Sequence, residues 1–344
     1  MDFNTVFQLD TIRRMSPEII DGADKILFIP DALAYMLTGK AVMEYTVAST
    51  SQMLNPGTGD LDRGILDALG ITRDKFGTMV HPGYMIGRLC GQVQDYTGIG
   101  DLPVIAVAGH DTASAVIAVP SPDNDFAYIS CGTWSLLGAE VDHPVITAKS
   151  REYNFTNEGG IDGTTRLLKN ICGLWIFERC REEFAGVPED VPAVASLCLE
   201  SCCGSLINPD DPMFANPASM TGAICEFCRR TGQEIPETPA DYVRVIFRSL
   251  AVRYREVLGM LKELCPSDIK RLHIIGGGSQ NPYLMQFAAD ETGLPVTAGP
   301  AECTALGNIL VQLRACGVLE SLSDMRNVAV NSTETLIYLP NINK

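Results

Sequence analysis

Residues 272–316 alternate strand and helix patterns around a run of three glycines, and this restricts the fold more than any other feature of the 344-residue sequence. The apolar run Leu272 to Ile275 predicts a buried strand, Gly276-Gly277-Gly278 a turn, 282–292 a helix, 295–298 a second strand and 302–316 a second helix. Such alternation with short connections predicts an α/β architecture. An earlier switch of the same kind lies at 102–109, where a continuous apolar run precedes small, helix-compatible residues from Thr112 to Val119. Residues 126–130, Cys131-Gly132-Thr133 and 134–140 then read as strand, tight turn, strand. At about 150 residues per domain the length predicts two domains. The short polar stretch Ser121-Pro122-Asp123-Asn124-Asp125 divides them into 1–120 and 121–344.

The remaining pattern is mostly helical. Residues 11–23 and 31–37 predict helices, the second ending at Gly39, with a short strand at 26–29 and an open loop at 55–59. Residues 170–184 predict another helix, and 198–239 is loop-rich. Val243, Ile246, Leu250, Tyr254, Val257, Leu261 and Leu264 recur at three- or four-residue steps, a long amphipathic helix that Cys265-Pro266 ends.

Charge narrows the partners. Lys and Arg number 26 against 42 Asp and Glu, a net charge of −16 that repels phosphate backbones and anionic membranes, so nucleic acid and membrane are not expected partners. A small anionic ligand must then be held by local backbone donors or by a metal ion. No apolar run approaches the roughly 18 residues that span a bilayer, and the N-terminus lacks a signal-peptide layout, so a cytoplasmic location is expected. The 12 irregularly spaced cysteines predict reduced core thiols. Cys225-x-x-Cys228 lacks the second ligand pair a zinc site requires, and the four histidines are scattered, so no protein-held metal is predicted.

Three segments carry chemistry. Gly276-Gly277-Gly278 lets backbone approach a flat or phosphorylated ligand, or is a plain turn before a helix capped by Asn281 with Pro282 at its first position. Ser130-Cys131-Gly132-Thr133-Trp134-Ser135 offers hydroxyls and main-chain amides to phosphate oxygens, or is an ordinary hairpin. Gly109-His110-Asp111-Thr112 puts a carboxylate at a strand end and helix start, placed to take a proton from a substrate hydroxyl or simply to cap the helix. His110 is either a buried hydrogen-bonded residue or a sugar contact. Trp134 and Trp175 are expected in the core.

Together with Asn157-Glu158-Gly159-Gly160 and 168–175 (Leu-Lys-Asn-Ile-Cys-Gly-Leu-Trp), these motifs resemble the FGGY carbohydrate kinases, and within them the branch that phosphorylates L-rhamnulose. The resemblance runs in the family's order from residue 109 to 281, and Ile29-Pro30-Asp31 and residues 55–59 also fit it. It implies the actin-like fold of two RNase-H-like α/β domains. Residues 1–120 are then the remainder of an incomplete sugar-binding domain, and 121–344 the nucleotide-binding domain. It implies phosphoryl transfer from ATP, with Mg2+, to the 1-hydroxyl of L-rhamnulose. By position Asp111 matches the general base. His110, Asp111, Thr112 and Asn170 match sugar contacts, and Thr133, Glu178, Gly276, Gly277 and Gly278 match the nucleotide site. Glu178 stands where the family commonly has Gln, and a carboxylate there repels polyphosphate unless magnesium or a proton intervenes. Family members open with a strand, a D-x-G-x-S-like turn and a strand that hold ATP phosphates. No stretch before Asp111 reads that way, so the resemblance implies an N-terminal segment supplied in the full-length protein and weak turnover by this chain alone. Two alternatives stand beside this reading: a non-catalytic nucleotide-binding remnant or partner module, and a kinase of this family for another ketose or polyol.

Overall fold

A computed structural model describes residues 3–121, 123, 125–187, 190–265 and 268–341. Its centre is a seven-stranded sheet whose order is Leu336–Tyr338, Val296–Ala298, Arg271–Ile275, Phe126–Cys131, Trp134–Val141, Thr165–Cys172 and Thr156–Gly159. The Arg271–Ile275 strand pairs parallel with both neighbours, and every other pairing is antiparallel. Successive residues of a strand face opposite sides, and the Phe126–Cys131 strand shows why both sides must be covered. Ala127, Ile129 and Cys131 enter a core shared with the helices Trp175–Glu183, Met220–Arg230, Pro239–Leu264 and Pro282–Thr292. Phe126 and Tyr128 enter a second core with the helices Asp111–Ile117, Cys303–Ala315 and Leu322–Ser332.

The two helices nearest the site touch backbone to backbone. A Cβ on Gly307 would lie 1.8 Å from the carbonyl oxygen of Ser114, so only glycine admits this crossing. The Asp111–Ile117 helix precedes the 121–125 stretch in sequence yet is packed onto the seven-stranded sheet. Of that stretch, Pro122 and Asn124 lie outside the described residues.

Residues 3–106 build two smaller cores, one around Leu9, Met43, Met53, Leu66 and Phe76 and one around Val42, Val80, Ile86 and Ala106. Their strands pair only two at a time among the described residues.

Several elements differ from expectation. The first helix spans Thr5–Met15, and Pro17 restarts a second, Pro17–Gly22, because proline suits a first helical turn and not an interior. Only Ile26 of 26–29 bridges, to Phe76. The 55–59 loop is the tip of a short hairpin, Leu54–Asn55 with Asp60–Leu61. Residues 170–172 end a strand, and the helix begins at Trp175. The long helix spans Pro239–Leu264, with Thr238 and Asp241 capping each other reciprocally. Pro266, expected to help end it, lies outside the described residues.

Candidate active site

The turn that carries Asp111 hangs from the first domain. The buried Glu44 carboxylate accepts the N–H of Thr46 (2.9 Å), Val47 (3.1 Å) and Gly109 (2.9 Å) and the Thr46 hydroxyl (2.5 Å), and that hydroxyl accepts the His110 N–H at 3.2 Å. Asp31, also buried, accepts the Glu44 N–H at 3.1 Å. Burial pushes the Asp31 carboxyl up to about 7, and it raises Glu44 against the bonds that Thr46 and Gly109 donate. Two carboxyl groups thus fix 109–110 without reaching the cleft.

His110, not Asp111, is the helix cap. Its Nδ1 accepts the Thr112 N–H at 3.2 Å, which places the imidazole proton on Nε2. Burial holds His110 below its ordinary range, the Arg166 charge pushes the same way, and Glu158 and Asp111 oppose them. Asp111 sits at the first helical position with 79% of its side chain exposed and shares the Thr112 N–H with His110. Thr112 steadies it: the N–H donates to Oδ1 at 2.5 Å and the hydroxyl at 3.1 Å. The Thr304 hydroxyl donates to the Asp111 carbonyl at 3.2 Å, tying this residue to the Cys303–Ala315 helix.

Opposite stands the 126–141 hairpin. Tyr254 of the long helix meets Ser135 Oγ at 2.7 Å and Cys131 Sγ at 3.7 Å, so a residue read as an apolar stripe member also pins the hairpin. At the tip, the Gly132 carbonyl accepts the Leu174 N–H, and the Thr133 carbonyl accepts those of Gly173 and Trp175. The glycine run divides by task. Gly276 has φ +84°, and Cβ atoms on Gly276 and Gly278 would lie 2.9 Å from the Cys131 oxygen and 2.3 Å from its sulfur. A Cβ on Gly277 would meet nothing within 4 Å. Asn281 caps the next helix by accepting two N–H groups at 3.1 Å, with Pro282 at its first position, so the run also serves as the turn before a helix.

These parts enclose a cleft of about 690 Å³ whose walls include His110, Asp111, Thr112, Thr133, Asn170, Gly276 and Gly277. A second cavity of about 590 Å³, with Lys169, Trp175, Phe214 and Arg253 in its walls, shares Thr133, Trp134 and Asn170 with it. Two predicted site residues are not in the cleft wall. Gly278 is behind it, against Cys131. Glu178 is turned to Arg181 on its own helix, 2.7 Å away, and that guanidinium offsets the negative charge expected to repel phosphate. The expected core position of Trp134 is corrected: it is 46% exposed at the hairpin tip because it belongs to the cleft. Trp175 is half-buried, its indole N–H donating to the Phe214 carbonyl at 3.3 Å. Glu158, Glu302 and Thr304 also line the cleft and were not singled out in sequence. Glu158 lay within a motif, but its type and spacing gave it no role. Cys228 is buried in the core and Cys225 bonds the Tyr242 hydroxyl, so both act as helix-packed thiols. No helix is long and apolar enough to cross a membrane among the described residues.

A carboxylate at a helix start thus faces a glycine loop and a hydroxyl-bearing hairpin across a cleft, an arrangement suited to group transfer. Family models match residues 1–118 as the N-terminal domain and 127–316 as the C-terminal domain of the FGGY family of carbohydrate kinases. The chain belongs to that family, with its two-domain, actin-like α/β sugar-kinase fold and its use of ATP. It is 53% identical to a rhamnulokinase of Bacteroides thetaiotaomicron over 99% of this chain and 70% of that protein. It is 42% identical to a rhamnulokinase of Pectobacterium atrosepticum over 99% of this chain and 67% of that one. Among solved structures it resembles a xylulose kinase from Lactobacillus acidophilus (TM-score 0.78, 18% identity, 99% of this chain, 68% of the other). It also resembles a Plasmodium falciparum glycerol kinase with ADP (TM-score 0.76, 16% identity, 98% and 68%).

Proposed function

We propose that the chain catalyses phosphorylation of L-rhamnulose at its 1-hydroxyl, with MgATP as co-substrate. The observation that carries this reading is the convergence of His110, Asp111, Thr112 and Asn170 with Thr133, Gly276 and Gly277 on one cleft. The choice of sugar rests on the rhamnulokinase relatives at 53% and 42% identity.

The exposed Asp111 carboxylate accepts the proton of the sugar hydroxyl as its oxygen bonds to the γ-phosphorus and the bond to the bridging oxygen breaks, releasing ADP. His110, neutral with its proton on Nε2, donates to a sugar oxygen, and Asn170 orients the ring from the opposite strand. Thr133 and the hairpin backbone hold phosphate oxygens. The open side of Gly277 receives the nucleotide, and the magnesium that arrives with ATP offsets its charge in a protein of net charge −16. Residues 1–120 form the sugar side and 121–344 the nucleotide side, with the Asp111–Ile117 helix joining them. A cytoplasmic location, where ATP is supplied and thiols stay reduced, fits this reading.

Sugar-dependent ADP release tests the assignment. L-rhamnulose should exceed L-fuculose, D-xylulose and glycerol by at least about tenfold in kcat/KM, the scale that one or two hydroxyl contacts give. Preference for glycerol or D-xylulose overturns it.

A further inference from the structure

Glu158 and Arg166 face each other across the pairing of the Thr156–Gly159 and Thr165–Cys172 strands. Arg166 is fully buried and Glu158 is 8% exposed, with Nη2 and Oε2 3.0 Å apart. Arg166 donates from Nε to the Gly159 carbonyl at 3.0 Å, but Nη1, Nη2 and the Glu158 Oε2 lack well-aligned hydrogen bonds. Burying such a pair costs more desolvation than its attraction returns unless further bonds satisfy it, and an apolar pair would hold two strands as well. Glu158 nevertheless lines the same cleft as His110, Asp111 and Asn170, and the charges of Glu158 and Arg166 both act on His110.

We propose that Glu158, held by Arg166, is a sugar-binding residue that accepts a hydrogen bond from a hydroxyl of the neutral ketose beside the Asp111 base. This rests on the sugar-kinase reading above. A carboxylate there accepts from hydroxyl donors and disfavours sugar acids, which selects uncharged polyhydroxy substrates. With Oε2 buried against Arg166 Nη2, the other carboxylate oxygen is the one that would accept the hydroxyl.

Calorimetric titration of the 344-residue chain with L-rhamnulose tests it. Glu158→Gln should weaken binding about ten- to hundredfold, as loss of a charge-assisted hydrogen bond does. One mono-deoxy analogue of the sugar should bind the unmodified chain and Glu158→Gln equally, which a purely structural role would not produce. Glu158→Leu combined with Arg166→Met removes both charges at similar volume. This double variant should keep the melting temperature and still bind weakly, and it decides the matter if Glu158→Gln does not fold. Parental affinity in either folded variant overturns the proposal. Failure of the unmodified chain to bind L-rhamnulose overturns the substrate reading first, so the two failures are distinguishable.

Discussion

Gly276, Gly277 and Gly278 adjoin in sequence and do different physical work. The outer two are glycine because Cys131 leaves no room for a Cβ, whereas Gly277 faces open space. Gly277→Val should therefore fold with unchanged stability and lose ATP affinity by at least about tenfold, since the branched side chain fills the approach of the nucleotide. Calorimetric ATP binding equal to that of the parent would remove the loop from the nucleotide site. Asp31 makes a different prediction. Its carboxyl titrates near 7 when folded against 3.8 in its ordinary state, so between those values the folded chain holds more protons than the unfolded one and stability falls as pH rises. Asp31→Asn keeps an acceptor for the Glu44 N–H and removes the titration. Relative to the parent it should gain stability progressively from about pH 4 to 7, at most about 1.4 kcal/mol per pKa unit. Urea midpoints that differ by a constant amount across that range would contradict the account.

At the scale of elements, the hairpin 126–141 is positioned by the turn that follows the Thr165–Cys172 strand. A Cβ on Gly173 would lie 2.6 Å from the Gly132 oxygen and 2.8 Å from the Thr133 oxygen. Gly173→Ala should displace the tip, cost about 1–3 kcal/mol by overpacking and weaken ATP binding, which urea denaturation and calorimetry measure together. A variant with parental stability and parental ATP affinity would show that the tip is not held there. The hairpin, the glycine run and the long helix were legible in sequence because glycine punctuation and a one-sided stripe mark them locally. The Thr165–Cys172 strand was not. Its sequence, Thr-Arg-Leu-Leu-Lys-Asn-Ile-Cys, neither alternates nor runs apolar, because the buried Arg166 is matched by Glu158 on the neighbouring strand, and its last residues blend into the helical pattern of 170–184. Asn170 was therefore placed on a helix, although its position in the cleft owes to a strand. The short first-domain strands, two to four residues each, gave equally little periodicity to read.

In the molecule as a whole, the turn that carries Asp111 is the joint between the two halves. Glu44 and Thr46 hold this turn from one side, while the Asp111–Ile117 helix is packed against Cys303–Ala315 on the other. No sequence pattern announces such a joint, because it is made of a glycine contact and hydrogen bonds about 65 and 193 residues apart in sequence. Glu178 and Gly278 show the converse, since a motif match alone did not say that Glu178 turns to Arg181 or that Gly278 is packed against Cys131. The central claim is that Asp111 takes the proton of the 1-hydroxyl of L-rhamnulose as the γ-phosphoryl group of ATP is transferred. Its most direct test compares ADP release with and without L-rhamnulose in the unmodified chain and in Asp111→Asn, with 31P NMR of the product. The sugar should stimulate ADP release in the unmodified chain, with phosphate on the first carbon. In Asp111→Asn the stimulation should fall by about a hundredfold or more at unchanged melting temperature. Equal stimulation in both proteins, or none in the unmodified chain, would contradict it.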